Sequence, residues 1–180
     1  MIKIHECEQG SEQWHELRTG KFTGTAAAKL LKHGAIDYSL TERSNFRGNW
    51  YTKRGHELEP EALELYELIT KTMVGRPGFV TNNLYPDCGY SPDGLVEGKV
   101  IEVKCFMEDK HKQLYNGDIP FEVLAQIHFG MMICERKAAD LIIYNPELEP
   151  KLAFKIIPIK ASRGIVSNFK RILKPQGVAA

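Results

Sequence analysis

The sequence predicts an α/β fold, a central mixed β-sheet flanked by helices, and three observations predict it. A helical stripe of apolar side chains in mid-chain (Leu58, Ala62, Leu65, Tyr66 and Ile69) stops at the break over 75–77. Short runs of β-type residues follow, after which helical and strand-like stretches alternate to the end of the chain. The composition is that of an ordinary globular protein, 43% hydrophobic against 26% charged. At 180 residues the chain suits a single domain over 1–180, without repeats, low-complexity tracts or linkers.

Ser11 is placed to cap a short helix carrying Trp14, Leu17 and Arg18, which Gly20 stops. Thr23 or Thr25 caps a second helix over 26–32, closed by Gly34. The stretch 36–53 is irregular and aromatic-bearing, and reads as loop with a short helix. A strong helix is expected over 56–71, with Pro60 tolerable in its first turn. Strand-like runs lie at 79–80, 88–91, 94–96 and 100–105. A helix over 121–135, strands over 140–144 and 153–159, and a closing basic helix over 162–173 complete the map.

With 24 basic and 23 acidic side chains the net charge is +1, which excludes a charge-saturated, histone-like binder. The charge is unevenly spread. Residues 150–180 hold seven basic side chains and no acidic one, so they carry +7, and the remainder carries −6. A second basic stretch contains Arg43, Arg47, Lys53 and Arg54. Clustered cations suit a polyanion such as nucleic acid, and equally suit a solvated surface. No apolar run approaches the roughly 20 residues that span a bilayer, and the first residues lack the apolar core of a secretory signal. A soluble, cytoplasmic protein without membrane contact is expected. Cys7, Cys88, Cys105 and Cys134 have no ligand-like spacing, which favours reduced, buried thiols over an iron–sulfur cluster.

The chemistry is concentrated between Tyr90 and Lys104. Glu97-Gly98 reads as a two-residue hairpin turn, glycine supplying the positive φ. Pairing outward from that turn sets Asp93 opposite Glu102, with Cβ atoms roughly 4.5–5.5 Å apart. Two carboxylates so close repel unless a cation lies between them, and Mg²⁺ suits such a gap. Strand alternation puts Lys104 on the same face as Glu102, and the main chain at Val103 can offer a carbonyl ligand. Glu59, beside the apolar stripe of the acidic helix, can reach the same cation or simply favour the helix N-terminus. Gln126 falls on the apolar stripe of its helix, where a buried amide needs partners, either backbone groups or a metal-site water. A surface hairpin with an incidental salt bridge would use the same residues.

These motifs resemble the PD-(D/E)xK nuclease core in the form used by the lambda-exonuclease-like (YqaJ viral recombinase) family. Ser91-Pro92-Asp93-Gly94-Leu95 and Ile101-Glu102-Val103-Lys104-Cys105 look like its catalytic hairpin. Trp14-His15-Glu16-Leu17-Arg18-Thr19-Gly20 with Phe22-Thr23-Gly24-Thr25 is similar to its N-terminal motif. Gly55-His56-Glu57-Leu58-Glu59 looks like its acidic helix, and Ala125-Gln126-Ile127 like its glutamine-bearing helix.

The resemblance implies a restriction-endonuclease-like core and a Mg²⁺-dependent (or Mn²⁺-dependent) exodeoxyribonuclease. Such an enzyme digests one strand of linear double-stranded DNA processively from a 5′ end, leaving 3′ tails for strand-annealing recombination in a bacterial or phage-infected cell. By position, Glu59, Asp93, Glu102 and the Val103 carbonyl would ligate two ions, Lys104 would orient and activate water, and Gln126 would support it. Arg18 and Thr25 would match the pocket for the terminal 5′-phosphate; a helix N-terminus and an arginine fork both favour that anion. A trimeric ring and an annealing-protein partner are implied in the same way. The chain departs from the family pattern at Thr25, where serine is common, and at 160–163, where an Arg-Asp pair is absent. On the same core, a sequence- or structure-specific endonuclease and a non-catalytic DNA-end-binding protein are the rival readings.

Overall fold

The computed structural model describes residues 1–41 and 49–174. Two sheets organise the chain. The first is antiparallel, with the order β1 (Ile2–His5), β2 (Phe79–Asn82), β3 (Tyr85–Tyr90). The second is mixed, with the order β4 (Gly94–Val96), β5 (Lys99–Lys104), β6 (Ala138–Tyr144), β7 (Phe154–Lys160). Only β5 and β6 run parallel. A parallel neighbour needs a long crossover, and here it is supplied by α4 (Glu108–Tyr115) and α5 (Phe121–Ile133).

The central strands β5 and β6 are buried on both faces, while the edge strand β7 is only partly covered, and period-two alternation sorts their side chains. Val100, Ala139, Leu141 and Ile143 face the core built around α5, while Ile101, Val103, Ile142 and Tyr144 face α3 (Trp50–Thr70). On the α5 side, α2 (Ala27–His33) and α7 (Arg163–Leu173) pack against that helix. Almost every side chain of α5 from Ala125 to Ile133 is buried, which suits its nearly unbroken apolar sequence. The result is a mixed sheet between helical layers, the arrangement expected from sequence. The turn at Glu97-Gly98 forms as expected, with Gly98 at φ 74 and Val96 opposite Lys99.

Several elements differ from expectation. Helix α3 begins at Trp50, not near 56, because the Asn49 side chain accepts the Thr52 backbone N–H and caps the helix earlier. Pro60 consequently lies inside the helix and not in its first turn. Its missing N–H deprives the carbonyl of His56, four residues back, and both residues are exposed, so water can serve that carbonyl. Neither Thr23 nor Thr25 caps α2 through its side chain; the two hydroxyls bond each other at 3.0 Å, and Thr25 lies within the 3₁₀ turn Gly24–Ala26. Strand β1 and helices α1 (Glu12–Arg18) and α6 (Pro150–Ala153) complete the fold, with Ser11 capping α1 as expected. Strand β1 and helix α4 were not expected from the sequence, although Ile2-Lys3-Ile4-His5 does alternate apolar and polar side chains. Arg43 and Arg47 lie outside the described residues. No helix among the described residues is long and apolar enough to cross a membrane.

Candidate active site

The loop Ser91-Pro92-Asp93 joins β3 of one sheet to β4 of the other. Pairing of Gly94 with Ile101 makes Asp93 the next position in register, opposite Glu102, as the hairpin reading requires. Beyond Gly94, however, β4 has ended. Asp93 Oδ2 takes the place of the missing strand and accepts the Val103 backbone N–H at 2.6 Å. The N–H and C=O of one strand residue point to the same side, so the Val103 carbonyl also faces the Asp93 side, away from β6.

Glu102 projects from β5 toward α5 and is 1% exposed. Both its oxygens are engaged. Oε1 accepts from Lys104 Nζ at 2.5 Å and from Gln126 Nε2 at 2.6 Å, while Oε2 accepts from the Tyr90 hydroxyl at 2.5 Å. Lys104 also lies 3.3 Å from Gln126 Oε1, closing a triangle of carboxylate, ammonium and amide. Gln126 is half-buried, not fully buried as expected, and the partner of its amide is a carboxylate, neither of the two expected from sequence.

Electrostatics ties Glu59 and Asp93 to this cluster. Glu59 precedes Ala62 and Leu63 by three and four residues on α3, hence shares their sheet-facing side. Burial and the neighbouring Glu102 raise its pKa to about 7, against the pull of Lys104 and Arg76. Burial, Glu102 and Glu59 raise Asp93 well above the ordinary carboxylate range. Burial lowers the pKa of Lys104, but Glu102, Asp93 and Glu59 outweigh it and hold the ammonium above its usual value. Three carboxyl groups share one lysine, so the cluster is short of positive charge.

Hard oxygen donors with unrelieved mutual repulsion are the donor set that Mg²⁺ and Mn²⁺ prefer. The residues present therefore fit a divalent cation. Among the described residues, no three His, Cys, Asp or Glu side chains already converge as a cage. The buried thiols of Cys88 and Cys134 are pushed up to about 12, mainly by burial.

Arg18 stands next to this site. Its guanidinium stacks on Trp14, 4.1 Å from the ring centroid, and donates to Ser91 Oγ at 3.0 Å. The Trp14 indole N–H reaches the same hydroxyl at 2.9 Å, and Gln9 holds the Pro92 carbonyl at 3.1 Å. The N-terminal helix thus braces the loop that carries Asp93. With two donors satisfying its oxygen, Ser91 keeps its own hydrogen to offer. Thr25 is exposed, and the turn at Gly24 beside it abuts both Tyr90 and Gln126. Tyr90, Ser91 and Trp14 were missed from sequence as site residues. The signal for the first two was their place directly before Pro92-Asp93.

The model of the YqaJ-like viral recombinase domain matches residues 13–137. A search of curated proteins returns no match. Among solved structures the chain is similar to LHK-Exo in complex with dAMP, with TM-score 0.79 and 24% identity, covering 91% of this chain and 90% of that one. It is also similar to the alkaline exonuclease LHK-Exo from Laribacter hongkongensis, at TM-score 0.72 and 24% identity over 89% and 87% of the two chains. A phage-related exonuclease from Haemophilus somnus 129PT follows, at TM-score 0.56 and 16% identity over 93% and 85%. The fold of the chain is therefore restriction-endonuclease-like.

Proposed function

Because the chain belongs to the YqaJ-like viral recombinase family, a family of nucleases of the lambda-exonuclease type, we propose that it is a metal-dependent exodeoxyribonuclease acting on linear double-stranded DNA from a 5′ end. The observation that carries this reading is the Glu102 carboxylate, held by Lys104 and Gln126 on a sheet edge where Asp93 and Glu59 crowd toward it. Glu59, Asp93, Glu102 and the Val103 carbonyl would hold Mg²⁺ or Mn²⁺, two ions when fully loaded. A cation held by these residues would supply charge neutralisation at the scissile phosphate and a more acidic water.

The chain's own groups do the rest. Lys104 keeps its proton among three carboxyl groups, so it orients the attacking water and stabilises the phosphorane-like charge. Gln126 fixes the Glu102 oxygen that Lys104 shares. Arg18, with the Ser91 hydroxyl it holds, would grip a terminal 5′-phosphate, and Thr25 would join them by family resemblance. Arg18 is partly stripped of water, and burial lowers its pKa. Removing mononucleotides one at a time agrees with the dAMP bound to LHK-Exo. A single nuclease domain over 1–180, a homotrimeric ring, 3′ tails passed to an annealing protein, and a bacterial or phage-infected cytoplasm complete the reading, all on the strength of the family.

The test is digestion in Mg²⁺ of linear duplexes labelled at either end, with and without a 5′-phosphate, beside an unnicked circular plasmid. The reading requires release of label from the 5′ end, faster with the phosphate, and an intact plasmid. Cleavage of the circle would make the chain an endonuclease, and end binding without nucleotide release would make it a non-catalytic end-binding protein.

A further inference from the structure

We propose that Tyr90 is a positioning residue for Glu102, fixing the carboxylate for its cation; the inference rests on the metal-dependent reading above. Glu102 has two oxygens and unequal support for them. Oε1 is met by Lys104 and Gln126, whereas Oε2 is met by the Tyr90 hydroxyl at 2.5 Å. Without that hydroxyl the carboxylate is pinned at one oxygen and free to swing about it. A ligand that swings binds a cation less well, because coordination tolerates only small displacements.

The surroundings of the ring are built for this contact. Tyr90 ends β3, so its bond to Glu102 of β5 joins the two sheets. Gln126 and Gly130 are four residues apart and share one face of α5. A Cβ at position 130 would come within 2.4 Å of Tyr90 Cζ, so that position accepts only glycine while the ring stays in place. A Cβ at position 24 would meet the ring edge at 2.9 Å, and Phe129 stands 6.5 Å away between centroids. The ring therefore has one resting place, and its hydroxyl one acceptor. Tyr90 also directly precedes Ser91, so the side chain that sets Glu102 and the hydroxyl beside Arg18 are consecutive on one strand end.

The alternative is a core tyrosine whose hydroxyl happens to find an acceptor, and Tyr90→Phe separates the two. Phenylalanine keeps the packing and removes only the donor. Mn²⁺ binding to the full chain without DNA is followed by electron paramagnetic resonance, for the wild type, Y90F and E102Q. Melting in chelator and digestion of duplex ends across a range of Mn²⁺ concentrations are measured alongside.

A positioning role weakens Mn²⁺ binding by Y90F about tenfold or more. It shifts half-saturation of digestion equally, and saturating metal recovers most of kcat. Unchanged Mn²⁺ affinity in Y90F, with affinity lost in E102Q, overturns the role of Tyr90 alone. Absence of Mn²⁺ binding by the wild type overturns it together with the metal-dependent reading. If Y90F melts too low to assay, its Mn²⁺ binding and digestion are measured in the cold, below its melt, against wild type at the same temperature. The same rise in half-saturation is required there, and a wild-type metal response overturns the proposal.

Discussion

The Gln126 amide nitrogen lies 2.6 Å from Glu102 Oε1, tying the most buried helix among the described residues to the acidic centre of the mixed sheet. That bond carries any shift of a helix buried on nearly every side directly to the Glu102 carboxylate. Gln126→Ala should reduce the rate of end digestion about 10- to 100-fold, the usual scale for groups that orient a ligand or an acid. Gln126→Glu should be worse, since it adds a fourth carboxyl to a cluster already short of cations. Initial rates at saturating Mg²⁺ check both, and a wild-type rate for Gln126→Ala would remove the residue from the site.

Replacement of Lys104 by Ala should lower the rate by about 10²–10³-fold or more, as expected when a group that stabilises developing charge is lost. Glu102→Ala and Asp93→Ala should abolish cleavage. All three should fold, which melting in chelator verifies. Digestion at the wild-type rate by Glu102→Ala would sink the assignment.

The pH dependence of stability has a definite sign. Glu59 holds its proton up to about 7 in the folded chain, against an ordinary value of 4.5, so the folded state binds that proton more tightly. The corresponding stability is fully present below 4.5 and is lost as pH rises through about 7. Asp93, raised in the same direction, adds to the trend. Metal-free protein should therefore melt lower at pH 8 than at pH 5. Glu59→Gln and Asp93→Asn should each flatten that fall, and saturating Mg²⁺ should recover the stability lost at alkaline pH. Thermal melts in chelator and in Mg²⁺ across this range decide it.

Arg18→Ala should cost about 10- to 100-fold in kcat/KM on 5′-phosphorylated ends, the value of a charge-assisted hydrogen bond to phosphate. On ends bearing a 5′-hydroxyl it should cost little. Ser91→Ala should act in the same direction with a smaller effect. Equal losses on both kinds of end would assign Arg18 to bracing the Asp93 loop through Ser91.

The site was legible where chemistry and local geometry coincide. A glycine turn and strict strand alternation were enough to bring Asp93, Glu102 and Lys104 to one place, because a two-residue hairpin leaves no freedom of register. The existence of α5 and of strands β5 to β7 was readable from periodicity for a similar reason. The start of α3 was not, because Trp50, Tyr51 and Gly55 give no helical stripe and the decisive signal is a single cap at Asn49. Strand β1 and helix α4 were lost because short elements draw their stability from neighbours, β1 from pairing with β2 and α4 from burying His111 and Leu114. The place of Tyr90 before Pro92-Asp93 hinted at the site but not at its role, since its partner lies twelve residues away on a different sheet.

Brevity in β4 has a chemical consequence. Three residues pair with β5, and then the strand peels away, leaving Val103 with polar backbone that no neighbouring strand claims. Had the hairpin gone on zipping past Gly94, its ladder would be longer and its rim sealed. On the nuclease reading proposed above, that unfinished seam is where a phosphate would approach the acids.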